Sequence, residues 1–93
     1  MKINKGDILY FLGIGGIGMS ALARWCHSLG AQIYGYDLQQ TRLTKELEDE
    51  GMRIHYEIDV DQIPDKVVFA IYTPAVPQDN DELAFFNKSS TKS

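Results

Sequence analysis

Apolar and polar positions along the chain keep two rhythms in turn. Asp7-Ile8-Leu9-Tyr10-Phe11-Leu12 is a continuous apolar run after a polar start, which predicts a central parallel strand buried on both faces. From Ile17 the spacing becomes three to four, and Ile17, Ala21, Leu22, Trp25 and Leu29 form a stripe on one helix face with Gly30 as terminator. Gln32 to Asp37 reads as a second strand ending in an acid. Thr41 to Glu50 reads as a helix with Leu43 and Leu47 on one face and Gly51 as its stop. Met52 to Tyr56 is a shorter third strand, a helical turn is expected near Val60 to Ile63, and Lys66 to Tyr72 is a further buried strand. Thr73-Pro74-Ala75-Val76-Pro77 ends that strand abruptly, since proline removes donors and restricts the residue before it. Asp79 and Glu82 stand at box-like spacing before Leu83, Phe85 and Phe86, which predicts a last helix; Asn87 to Ser93 is polar and is expected to fray.

Strands alternating with helices predict an α/β fold in three layers, a Rossmann-like doubly wound parallel sheet of four to five strands ordered 3-2-1-4. One domain over residues 1-88 with a disordered tail at 89-93 is expected. Val67 to Tyr72 would then be an exposed edge, open to a second copy of the chain in a homodimer or to cover from the tail, unless Pro74 and Pro77 blunt it.

Candidate chemistry sits between the first strand and first helix, where four glycines fall in six residues. Gly13, Gly15 and Gly18 fit G-x-G-x-x-G: the first for a tight turn, the second to let a phosphate approach, the third for helix-strand packing. The free amides of the helix beginning near Ile17 and the positive end of its dipole favour an anion. Asp37, 24 positions beyond Gly13, stands where such folds place the carboxylate that accepts ribose hydroxyls. Thr73 falls on the same carboxyl rim. Gly13 to Ser20 also fits the P-loop pattern at every place but one, because Met19 replaces the phosphate-reaching lysine, and this argues against nucleotide hydrolysis. A secretory signal peptide over the same stretch is disfavoured, since the glycines interrupt its apolar region and a second strand follows at βαβ spacing.

Composition narrows the partners. The 93 residues carry a net charge of -4 without a basic cluster, which leaves nucleic acid and anionic membranes without electrostatic support. The single cysteine, Cys26, forms no internal disulfide and reads as a small packing residue, as suits a cytoplasmic protein. His55 has no second His or Cys at metal spacing, so it reads as an edge or surface residue and no metal site is expected.

The string Phe11-Leu12-Gly13-Ile14-Gly15-Gly16-Ile17-Gly18-Met19-Ser20-Ala21-Leu22-Ala23, followed by Gly35-Tyr36-Asp37 and Thr73-Pro74-Ala75-Val76, resembles the amino-terminal domain of the Mur ligases over about residues 7 to 88. The resemblance implies that this domain binds the UDP part of UDP-N-acetylmuramate. By it, Gly13, Gly15, Gly16, Ile17, Gly18, Met19 and Ser20 would hold the diphosphate, Asp37 would lie near the uridine ribose, and Thr73, Pro74 and Ala75 would line the rim. It further implies a cytoplasmic step of peptidoglycan synthesis, in which ATP and Mg2+ activate the muramyl carboxylate for attack by an amine. L-alanine and a murein tripeptide both stay open as the second substrate. No catalytic residue is assigned to this stretch, and the ATP-binding and amino-acid domains would lie elsewhere in a longer ligase. Many members carry a Gly-His pair where this chain has Glu57-Ile58, so that contact is absent or replaced. The alternative from another class is a NAD-binding domain of a regulatory protein or oxidoreductase, because turn, helix and acid suit an adenosine diphosphate equally.

Overall fold

The computed structural model describes residues 2-89 and places β1 (Ile8–Leu12) at the heart of a parallel sheet. Its order is β3-β2-β1-β4, with β2 at Gln32–Tyr36, β3 at Arg53–His55 and β4 at Val67–Tyr72. Four of the five β1 residues are fully covered, as a run apolar on both faces requires. Phe11 stands opposite Gly35 and Leu12 opposite Tyr36 on one side, while Leu12 meets Tyr72 on the other. The sheet order, the parallel pairing and the layered architecture agree with the sequence reading. Among the described residues β4 has β1 as its single neighbour, and Val68 and Tyr72 are exposed.

Helices α1 (Ile17–Ser28) and α2 (Arg42–Asp49) cover one face, over a core of Leu9, Phe11, Ile14, Ala23, Cys26, Ile33 and Leu47. Both end as their glycines predict. Gly30 N–H donates to His27 O at 3.0 Å and Ala31 N–H to Cys26 O at 3.3 Å; Gly51 and Met52 repeat the pattern onto Glu48 and Leu47 at 3.0 and 3.1 Å. These paired bonds satisfy carbonyls that a helix end would otherwise leave open. On the other face α3 (Asp81–Ser89) and a 3-10 turn, η1 (Val60–Gln62), enclose Tyr10, Leu12, Tyr36, Val76 and Leu83. Helix α3 thus runs through Ser89, where the tail was expected to begin; the frayed tail expected over 90-93 lies outside the described residues.

The stripe read from the sequence of α1 is not the face that packs. Ile17, Trp25 and Leu29 are 87%, 52% and 41% exposed, whereas Met19, Ser20, Ala23 and Cys26 are buried. Small side chains at Ala23 and Cys26 let the helix settle close to the sheet, which bulky ones would prevent. Burial pushes the Cys26 thiol pKa up, which suits a packing residue.

Candidate functional site

At the carboxyl ends of the strands a cleft of ≈ 650 Å³ opens between the glycine turn, the segment after β2, the loop after β3 and the arm from Thr73 to Asn80. Its floor begins at Gly13, whose φ of +85° makes the turn out of β1 and whose N–H donates to Tyr36 O at 2.8 Å. A Cβ on Gly13 would stand 3.6 Å from Val76 and 3.9 Å from Thr73, so the exit of β4 lies directly over the turn. Gly16 caps α1 with extended backbone and supplies no side-chain acceptor, and the first turn holds no acid. The first amides of α1 therefore remain available to an anion.

Gly15 has a different reason for lacking a side chain than the pattern suggests. Its N–H donates to Asp37 Oδ2 at 2.7 Å, and a Cβ there would fall 2.8 Å from that oxygen and 2.9 Å from Thr44 Cγ2. The close approach belongs to the protein's own carboxylate. The other oxygen of Asp37 accepts from Gln39 N–H at 3.1 Å, and the Asp37 N–H reaches His55 O at 3.2 Å. Asp37 thus ties the glycine turn to the segment after β2, while each of its oxygens keeps a second lone pair directed elsewhere. Gly18 also departs from expectation: a Cβ on it would meet open space, so helix-strand packing does not require this glycine.

Of the residues singled out from the sequence, Gly13, Gly15, Gly16, Asp37, Thr73 and Ala75 line the cleft. Ile17, Gly18, Met19, Ser20 and Pro74 are not among the lining residues. Met19 packs into the core at 7% exposure, and the Ser20 hydroxyl donates back to Ile17 O at 3.0 Å, so both side chains turn from the cleft. The Thr73 hydroxyl accepts from Ala75 N–H at 3.3 Å. Sequence reasoning did not find Tyr36, Leu38, Gln39, Thr41, Ile58, Val76, Pro77, Asp79 or Asn80, which complete the lining. Ile58 takes the wall where the departure at Glu57-Ile58 was noted, and makes it apolar. Burial, with Glu82 and Asp37 nearby, raises the Tyr36 pKa, so its hydroxyl stays protonated and can donate.

Two further expectations change. Asn80, not Asp79, caps α3: its Oδ1 accepts from Glu82 N–H at 2.9 Å and Leu83 N–H at 3.2 Å. Glu82 therefore does not reach back in a capping box. It is fully buried and takes Tyr10 OH at 2.5 Å, His55 Nε2 at 2.6 Å and Asp59 N–H at 2.8 Å. His55 does stand on an edge strand, β3, but not at the surface, for its side chain is only 18% exposed and lies near the Tyr36 ring. The signal in the sequence was an acid followed by apolar residues, and that fits a cap as well as a core partner.

Among the described residues no lysine or arginine lines the cleft, and the position of a P-loop lysine is taken by the buried Met19. These residues do not fit the γ-phosphate of ATP, which calls for cationic groups. They do offer amides, two threonine hydroxyls, a buried tyrosine hydroxyl and apolar walls at Leu38, Ile58 and Val76. No helix among the described residues is long and apolar enough to cross a membrane.

Comparison with known proteins places residues 8–90 within the family described as "Mur ligase family, catalytic domain". The chain is 45% identical over 87 residues to the UDP-N-acetylmuramate--L-alanine ligase of Porphyromonas gingivalis, covering 87% of this chain and 19% of that protein. It is 46% identical over 94 residues to the same-named ligase of Cytophaga hutchinsonii, covering 96% of this chain and 20% of the relative. Among solved structures, UDP-N-acetylmuramate-alanine ligase MurC from Thermotoga maritima matches with a TM-score of 0.80 and 38% identity over 86% of this chain and 18% of that one. A murein peptide ligase from Psychrobacter arcticus shares the fold, with a TM-score of 0.79 at 21% identity over 89% of this chain and 18% of that one. The chain therefore spans about a fifth of the length of the curated relatives it matches.

Proposed function

Because the chain belongs to the Mur ligase family, we propose that it is the part of such a ligase that holds the UDP end of UDP-N-acetylmuramate, in an enzyme that joins this sugar to L-alanine during cytoplasmic peptidoglycan synthesis. The observation that carries this reading is the uncapped start of α1 at Gly16, opening into a cleft whose other walls are apolar and hydroxyl-bearing. The diphosphate would rest on the amides from Ile17 to Met19, since the Gly16 N–H is taken by Gly13 O at 3.1 Å, and the helix dipole would offset its charge with no cation among the described lining residues. Asp37 would hold Gly15 in place and accept a ribose hydroxyl with its remaining lone pairs. Thr73 to Ala75 would close the rim over the turn, and Ile58 would give the base an apolar wall. ATP with Mg2+ supplies the phosphoryl group in the complete ligase, and the residues that bind it are not those of this cleft.

By itself the chain would bind the UDP-sugar and turn nothing over. An open β4 edge would also favour pairing with a second copy, which light scattering over a concentration series measures. Titration with UDP-N-acetylmuramate and, separately, with NAD, followed by amide NMR shifts, tests the reading. Saturable shifts at Gly13 to Met19 and Thr73 to Asn80 with the UDP-sugar alone are expected. Saturation by NAD with no response to the UDP-sugar would favour a dinucleotide domain instead.

A further inference from the structure

We propose that Glu82 is a positioning residue that fixes the opening of the cleft at its nucleoside end, an inference that rests on the uridine reading above. The carboxylate lies behind the wall and not in it. Its Oε1 accepts from Tyr10 OH at 2.5 Å, and its Oε2 takes His55 Nε2 at 2.6 Å and Asp59 N–H at 2.8 Å. With the proton on Nε2, three donors converge on one acceptor-only group. Each comes from a different piece of chain: Tyr10 from the centre of β1, His55 from the end of β3, and Asp59 from the loop that enters η1.

The loop into η1 and the start of Glu82's own helix carry the wall. Ile58, beside Asp59, lines the cleft, and so does Asn80, whose Oδ1 is bonded to the Glu82 N–H itself. The carbonyl of His55 receives the Asp37 N–H at 3.2 Å, so the same knot reaches the acid under the glycine turn. An apolar side chain of similar volume would fill the space as well, and burying a carboxylate is costly unless its lone pairs are met. What the apolar side chain lacks is the ability to hold β1, β3 and the loop into η1 together at fixed hydrogen-bond lengths behind the wall. The glycine turn makes no hydrogen bond with this carboxylate and is reached from it only at second hand, through His55 and Asp37, so the phosphate end depends on it less than the nucleoside end.

The test compares Glu82→Gln and Glu82→Ala with the wild-type chain, using UDP and inorganic pyrophosphate as probes and amide NMR as readout. Glutamine keeps one acceptor oxygen and the side-chain volume, so that variant should fold and alanine should do more harm. In folded Glu82→Gln, UDP affinity should fall at least tenfold while pyrophosphate affinity stays within about twofold, with amide exchange faster at Ile58 to Asp59 and Asp79 to Asn80 than at Gly13 to Ser20. Equal weakening of both probes, or unchanged UDP affinity, would overturn the proposal. Should Glu82→Ala fail to fold, the glutamine variant decides alone. Should the wild-type chain bind no UDP, the uridine reading falls, and the amide pattern judges the positioning role: changes confined to those two wall segments sustain it, and changes spread over the chain overturn it.

Discussion

Gly15→Ala should destabilise the chain by about 2-4 kcal/mol although its backbone can accept a side chain, since Gly15 is not among the residues with positive φ. The added Cβ would stand 2.8 Å from Asp37 Oδ2 and 2.9 Å from Thr44 Cγ2, nearer than van der Waals contact allows. Neither neighbour can yield at small cost. Moving Asp37 breaks the 2.7 Å bond from the Gly15 N–H, and hydrogen bonds to charged groups are worth about 1.5-3 kcal/mol. Moving Thr44 disturbs a fully buried residue whose Oγ1 accepts from Thr41 N–H at 2.8 Å, and overpacking of this kind costs about 1-3 kcal/mol. The two do not add fully, because relief at one neighbour spares the other. Urea unfolding followed by circular dichroism gives the loss directly, with an unchanged m-value as the control for two-state behaviour. Thr44→Ser removes the offending methyl and keeps the capping oxygen, so a double-mutant cycle should show roughly 1 kcal/mol of recovery. A loss below about 0.5 kcal/mol, or strict additivity of the pair, would refute the steric account.

Thr41 caps α2 by accepting from Thr44 N–H at 3.2 Å, and Thr41→Ala should cost about 1 kcal/mol in the same unfolding assay. Burial, reinforced by Glu82, raises the Tyr10 pKa far above its ordinary 10.0, so the folded chain keeps this proton where the unfolded chain has lost it. Its stability contribution is present below pH 10 and declines above it by about 1.4 kcal/mol per pH unit; the margin of wild type over Tyr10→Phe should therefore shrink between pH 10 and 11, and a constant margin would contradict it. Lys66 stands at φ 64° before β4, and Lys66→Gly should stabilise the chain by up to ~1 kcal/mol in thermal unfolding.

The sheet order was legible because Ile8 to Leu12 and Val67 to Tyr72 are apolar without interruption, as parallel strands are, and because the intervening glycines mark helix ends; the expected burial of the second run fails, since β4 is an edge strand with Val68 and Tyr72 exposed. The inward face of α1 was not. Pattern reading weighs Ile17 and Trp25 heavily and Ala23 lightly, whereas close approach to a sheet rewards the small residue. The glycine turn and Asp37 could be marked as site residues, yet their mutual bond joins positions 22 apart and follows only from the fold. Glu82 was the hardest to read. Nothing local tells an acid that caps a helix from one that receives Tyr10 across 72 positions.

The outward turn of α1 has a practical consequence for optical work on this protein. Trp25 is its sole tryptophan, half exposed, and nine residues beyond the cleft-lining Gly16. At 1.5 Å per residue the indole is rooted roughly 13 Å along the helix axis from the cleft floor. Its emission should already be red-shifted in the native state and shift little on unfolding, and it should be indifferent to whatever occupies the cleft. A tryptophan placed at Ile58, on the cleft wall and 47% exposed, with Trp25→Phe to silence the native indole, would give the chain a fluorophore that reports occupancy.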